Sequence, residues 1–212
     1  MTPRPYRTGQ RQAAATEQTR TKILTAAGEL LTGEKGPGAF SMEAVARQAG
    51  VARMTVYYQF ESRTGLLESL FDDLAARGGM GGVRDVFASA TDARTALAKF
   101  IAVFAGFYSS ARTALRRLRG LAVIDADLEE TLRHRGERRR VGLRTLIDRL
   151  TAETGAETTP DERDELCLML FTLTSFETFD LLCEPGSSTE QAASRMERMV
   201  FVLLDEWLPA HT

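Results

Sequence analysis

Residues 41–67 read SMEAVARQAGVARMTVYYQFESRTGLL, and the fold turns on how this stretch is divided. Ser41 precedes a short apolar pattern, Met42, Val45, Ala46 and Ala49, at helical spacing. A serine in that place caps a helix because its hydroxyl accepts a free backbone N–H. Gly50 breaks the helix and lets the chain turn sharply. A second short helix follows from about Ala52 to Phe60, with Val56 and Phe60 four apart and facing inward. Two short helices joined by Gly50-Val51 make a helix-turn-helix candidate. The first packs across the second through Val45, Ala46 and Ala49, and the second is left with an outer face for a DNA major groove.

That outer face carries Arg53, Met54, Thr55, Tyr57, Tyr58 and Gln59. Arginine donates two hydrogen bonds to guanine, and threonine offers a methyl for thymine. Tyrosine hydroxyls reach phosphate oxygens, which fix position rather than sequence. A competing reading makes Tyr57, Tyr58 and Phe60 an aromatic core stripe. Consecutive tyrosines cannot both face inward on one helix, so at least one is exposed or at the edge.

The string from Gly50 to Phe60, followed by Arg63 and Leu66-Leu67, resembles the signature of the Tet repressor (TetR) family of regulators, as do Thr19-Arg20, Ile23-Leu24 and Ala26-Ala27. The likeness covers about residues 19–71. It implies an all-α protein: an N-terminal three-helix DNA-binding domain with a helix-turn-helix, then a C-terminal helical domain for ligand binding and dimerisation. It also implies contacts position by position. Ser41 and Met42 touch phosphate. Ala52, Arg53, Met54 and Thr55 read bases. Tyr57, Tyr58 and Gln59 hold the backbone. The residue opening the fourth helix is typically lysine and clamps a phosphate; here it is Arg63, which keeps the charge with a different geometry. Met54 stands where a small residue or glycine is common, which bears on operator sequence rather than on the mode of binding.

Upstream, residues 1–16 hold Pro3, Pro5, Gly9 and several arginines and read as a flexible basic arm. A helical pattern begins at Glu17, with Ile23, Ala27, Leu30 and Leu31 on one face, and ends at Gly33 to Gly38. Downstream, a helix from Ser62 stops at Gly78, Gly79, Gly81 and Gly82, a loose joint. The expected domains are therefore the arm 1–16, a DNA-binding head 17–77 and a helical body 83–212. Periodicity in the body predicts helices over Asp92–Tyr108, Ala111–Val123, Leu128–Glu153, Asp161–Cys183 and Thr189–Leu208. No strand pattern or internal repeat is found.

Charge divides along the same line. Residues 1–63 carry nine Lys/Arg and five acids, a net +4; the remainder carries 18 and 24, a net −6. A basic head on an acidic body suits a polyanionic partner. Cys167 and Cys183 are the two cysteines. Sixteen residues apart on a single helix, they would stand roughly 24 Å from one another, too far for a disulfide. Free thiols suit a reducing cytoplasm. No apolar run approaches a membrane span, and the N-terminus lacks a signal-peptide centre. The expected localisation is cytoplasmic, with no membrane partner.

The resemblance fades after about Leu74, as expected of a half whose ligand differs between members. It implies an internal pocket whose effector weakens DNA affinity. Phe100, Phe104, Phe107 and Tyr108 are one aromatic cluster. Met169, Leu173 and Phe176 crowd a helix that is apolar nearly all round, together with Leu170, Phe171 and Phe179. Either these line a pocket or they form an ordinary core. Glu177 and Asp180 read as anchors for a cationic or hydroxylated ligand, or as solvent-facing acids. Met196, Met199, Val200, Leu203, Leu204 and Trp207 form a stripe on the last helix, for a homodimer interface or for burial within the chain. The run Arg133, Arg135, Arg138, Arg139, Arg140 and Arg144 reads first as a solvated, ion-paired helix with Glu129 four residues before Arg133, and second as an anion site.

An enzyme is disfavoured. His134 and His211 are the two histidines, one in an arginine run and one at the C-terminus. No Cys/His spacing suggests zinc, no Gly-rich loop follows a strand, and adjacent acids such as Asp72-Asp73 splay apart. No catalytic residue, metal or cofactor is expected. The partners expected are a pseudo-palindromic double-stranded operator, an unidentified small-molecule effector and a second copy of the chain. A ligand-independent dimeric repressor is the alternative.

Overall fold

A computed structural model describes residues 6–208, with side chains from Gln12 onward. Residues 1–5 of the expected arm, and His211, lie outside the described residues. Among the described residues the structure is all-α, with no strand. Ten helices follow in order: α1 (Tyr6–Thr32), α2 (Met42–Ala49), α3 (Arg53–Phe60), α4 (Arg63–Arg77), α5 (Val83–Ser89), α6 (Ala93–Ala122), α7 (Ala126–Thr154), α8 (Pro160–Leu173), α9 (Phe176–Leu182) and α10 (Thr189–Trp207).

The chain divides into two compact units. One is Met1–Asp73 with Arg116–Glu129; the other is Leu74–Leu115 with Glu130–Thr212. The division differs from a linear cut at the glycine joint. Gly78 to Gly82 lie inside the second unit, and the corner between α6 and α7 belongs to the first.

The first unit is built on apolar faces read from the sequence. Ile23, Ala27 and Leu31 of α1, Val45 of α2, Val56 and Phe60 of α3, and Leu66, Leu67 and Leu70 of α4 are buried. Helix α1 begins at Tyr6, well before Glu17. Gln and Ala at 10–15 are strong helix formers, and no proline falls within 6–32 to stop them. Residues 12–18 remain exposed.

In the second unit three departures from the expected helices have local causes. Helix α5 was not anticipated; its seven residues bury one side chain fully, Val86, too little for a periodic signal. Helix α6 is continuous where a break at Ser109-Ser110 was expected. The Ser110 hydroxyl bonds back to the Phe107 carbonyl, and no glycine or proline interrupts the helix there. The predicted Asp161–Cys183 helix is two. Thr174 is fully buried and donates its hydroxyl to Leu170 O, while Ser175 caps α9 by accepting from Thr178 N–H. Cys167 thus sits on α8 and Cys183 at the end of α9, so the premise of one shared helix fails; both are buried free thiols. Helix α8 is not buried all round: Leu168 is 53% exposed and Met169, Phe171 and Leu173 are half-buried.

The arginine run of α7 is likewise dispersed rather than shared. Arg133 pairs with Glu130, not Glu129, and Arg144 pairs with Asp164 of α8. Arg139 is buried, donating to Phe171 O and to the Thr174 hydroxyl with its guanidinium stacked on the Phe171 ring. An arginine placed this way is structural, since each N–H that leaves water needs an acceptor.

Candidate nucleic-acid interface

Helix α2 is set by its two ends. The Ser41 hydroxyl accepts the Ala44 N–H at 3.1 Å, and Gly50 closes the helix in the left-handed region at φ 67°, donating back to Ala46 and Arg47 carbonyls. Val51 N–H also returns to Ala46 O. This closing turn needs positive φ, which glycine adopts without strain. Met42 is 6% exposed, so its side chain belongs to the core. A phosphate contact by Met42 is restricted to its main-chain N–H, one of the amides that the first helical turn leaves without an acceptor.

Helix α3 is locked from beneath and open above. Val56 and Phe60 are buried, while Met54 is 73% and Tyr58 86% exposed. Ala52 and Arg53 are exposed, and Thr55, Tyr57 and Gln59 are half-buried. The aromatic-core reading therefore fails for Tyr58 and holds for Phe60. No side chain caps α3 at its exposed N-terminus, an end that favours anions. Arg53 stands one turn before Tyr57 with its guanidinium 5.4 Å from the ring centre, and donates toward the hydroxyl at 3.4 Å. That hydrogen bond pushes the guanidinium pKa up, so the exposed group is cationic at any ordinary pH.

Arg63 is placed differently from a free clamp. It opens α4, half-buried, with Nη1 2.5 Å from Asp125 Oδ2 and its guanidinium 5.7 Å from the Phe40 ring. Asp125 was not singled out from sequence, because 62 residues separate the pair. A second unassigned residue is Arg20. It donates to Gln59 O at 3.2 Å and to the Ser69 hydroxyl at 2.9 Å, and lies over the Phe60 ring. Its position three before Ile23 and seven before Ala27 puts it on the inward face of α1, a signal that was legible but unused.

Residues 23–70 match the family model described as bacterial regulatory proteins, tetR family. Over this segment the chain is similar to the TetR family. Solved structures of the same fold extend the likeness over most of the chain. A TetR transcription regulator from Haloarcula marismortui is 19% identical, with 92% of this chain and 98% of that one covered at TM-score 0.68. A Syntrophomonas wolfei protein described as a TetR-family regulator is 16% identical, covering 88% and 95% at TM-score 0.71. A Saccharomonospora viridis protein described as a transcriptional regulator, solved with choline, is 16% identical, covering 87% and 96% at TM-score 0.66. No curated protein sequence matches the chain.

In the second unit the expected pocket residues are partly assembled. Phe100, Phe104, Phe107, Tyr108 and Phe176 are buried. Ring centres follow one another at 4.7 Å (Phe100–Phe104), 6.0 Å (Phe104–Tyr108) and 5.7 Å (Tyr108–Phe176). Phe179 joins the cluster at 5.7 Å from Tyr108, and Tyr108 donates to Thr174 O. Glu177 is exposed. Asp180 is an ion-pair partner, with Arg112 Nε 2.7 Å from Oδ1, rather than an open anchor. Of the expected dimer stripe, Met196, Val200 and Leu204 are buried within the chain. Leu203 and Trp207 are half-buried and Met199 is 39% exposed. Val202, unlisted in that stripe, is 64% exposed on α10. Apolar residues thus cover more than one side of this helix. Among the described residues no helix is long and apolar enough to cross a membrane, and no cluster of possible metal ligands is found.

Proposed function

We propose that the chain is a sequence-specific DNA-binding repressor that a small-molecule ligand releases from its operator. The observation that carries this is α3: locked by Val56 and Phe60, it turns Arg53, Met54 and Tyr58 to solvent within the segment that matches the TetR family. Arg53 and Thr55 read base edges with Ala52 and Met54 beside them. Ser41, the Met42 N–H, Tyr57, Tyr58 and Gln59 position the phosphate backbone, and Arg63 reaches phosphate once it leaves Asp125. The working division is an arm (1–16) whose residues from Tyr6 onward already belong to helix α1, a head (17–77) and a body (83–212).

The functional form is a homodimer. Leu168 on α8 with Met199 and Val202 on α10 are the exposed apolar side chains that a second copy would cover, flanked by Leu203 and Trp207. Two reading heads related by a two-fold axis call for a pseudo-palindromic operator. The effector site is the Phe104, Tyr108, Phe176 and Phe179 cluster, with Phe100, Phe107, Met169 and Leu173 around it and Glu177 and the Arg112–Asp180 pair as its polar rim. Choline in one structural neighbour puts quaternary ammonium compounds among the first ligands to screen. Regulation, rather than catalysis, is the activity, and the compartment is the cytoplasm.

Selection of bound sites from random duplex DNA tests the core of this reading. Recovery of a pseudo-palindrome supports a dimeric specific reader; recovery of unrelated sequences with salt-sensitive binding alone rules it out. A thermal-shift screen separates inducible from ligand-independent repression, because a ligand bound to the native state raises the melting temperature.

A further inference from the structure

Within the first unit, the corner between α6 and α7 is joined to the end of α1 and the start of α4. Arg117, in the last turns of α6, donates through Nη1 to the carbonyls of Leu31 and Gly33 at the end of α1. Eight residues on, Asp125 meets Arg63 at the first position of α4. The Asp125 carboxylate is held at both oxygens. Oδ2 takes the Arg63 guanidinium at 2.5 Å, and Oδ1 caps α7 by accepting Leu128 N–H at 3.1 Å. The side chains are 34% and 19% exposed, so water shields this pair only in part. Asp125 is thus a built-in partner for the cation rather than a passing surface acid.

We propose that Asp125 is a phosphate surrogate: its carboxylate and the DNA backbone compete for the guanidinium of Arg63, and the pair sets how tightly the head grips DNA. The inference rests on the reading of this unit as a DNA-binding head. Carboxylate and phosphate engage the same guanidinium fork. While Arg63 is paired its charge is cancelled, so it draws no phosphate and releases no counterion. Engaging DNA means either leaving Asp125, which strands a shielded carboxylate, or bringing that carboxylate against a phosphate. Both weaken binding. Because Asp125 also starts α7, DNA binding and the position of this corner are linked, and linkage is reciprocal.

The test compares the full-length wild type with Asp125→Asn, Arg63→Ala and the double variant on an operator obtained by selection. Asparagine caps a helix as aspartate does, so α7 keeps its start while the charge goes. Asp127→Asn removes an exposed charge two residues on and serves as the control. Asp125→Asn is expected to tighten operator binding about three- to tenfold. The slope of log affinity against log salt should steepen by about 0.9, one phosphate contact. In the Arg63→Ala background Asp125→Asn should change neither. The proposal is overturned if Asp125→Asn binds as wild type or weaker, if Asp127→Asn tightens as much, or if the gain survives in Arg63→Ala. If wild type itself binds no specific site, the DNA-binding reading fails and this inference falls with it.

Discussion

Arg20 of α1 donates to the main-chain oxygen of Gln59 at 3.2 Å, so the first helix holds the last turn of α3. The same guanidinium bonds Ser69 on α4 and covers the Phe60 ring, tying three helices through one side chain. Arg20→Ala leaves these acceptors to water at a half-buried site and should cost about 1–3 kcal/mol of stability. Because Arg20 acts on α3 and not on DNA, operator affinity should fall while the salt slope stays at the wild-type value. Urea unfolding and binding across a salt series measure both. Arg20→Lys should rescue poorly, since lysine lacks the fork that reaches two acceptors.

Arg53→Ala removes the exposed cation at the start of α3. Operator binding should weaken by about 1–3 kcal/mol, with preference relaxed at one base pair. Tyr58→Ala, at the most exposed ring of that helix, should instead weaken binding to all sequences alike. Competition assays against single-base operator variants distinguish the two patterns.

Two neighbouring valines of α10 should behave in opposite ways. Val202 is 64% exposed and Val200 fully buried. Val202→Glu should leave the chain folded and shift sedimentation from dimer toward monomer. Val200→Asp should lower the melting temperature itself, because it buries a charge without a partner. A dimer unaffected by Val202→Glu would place the interface elsewhere.

Gly142 of α7 lies against the Phe100 ring: a Cβ there would stand 2.9 Å from Phe100 Cε2, with the Phe87 ring 3.6 Å away. Gly142→Ala should therefore destabilise by about 1–3 kcal/mol through overpacking, despite the higher helix propensity of alanine. Thermal denaturation gives the sign directly. Stabilisation would mean that the ring yields freely.

The capping box of α8 makes stability depend on acid. The Glu162 carboxyl is held below the usual carboxylate range, first by the Thr159 N–H and then by its hydroxyl. A lowered native value means the contribution is fully present above the unfolded value of about 4.3 and is lost as pH falls through the native one. Glu162→Gln keeps the box geometry but carries no titrating group. Its urea midpoint should thus fall less steeply than that of wild type between pH 5 and pH 3, as estimated from the same reference range of about 4.

Much of the first unit was legible in the chain. Ser41, Gly50, Val56 and Phe60 act through neighbours three to four residues away, and such relationships follow from helical spacing alone. The boundaries of α2, α3 and α4 accordingly fall where the sequence reading puts them. The body was less legible. An apolar helix pattern ran from Asp161 to Cys183 without marking that Thr174 turns inward to meet Arg139, 35 residues away. The stripe on α10 could not say which apolar side faces the chain and which faces water.

By itself, the sequence determined an all-α chain, its helix-turn-helix and a likeness to the TetR family over residues 23–70, because short-range capping and periodicity are written in adjacent residues. Tertiary structure alone decided that Arg63 is held by Asp125, that Asp180 is held by Arg112, and that Met42 and Val200 are core. Those outcomes depend on which side chain meets which across long loops, and burial and charge pairing are settled only when the helices pack.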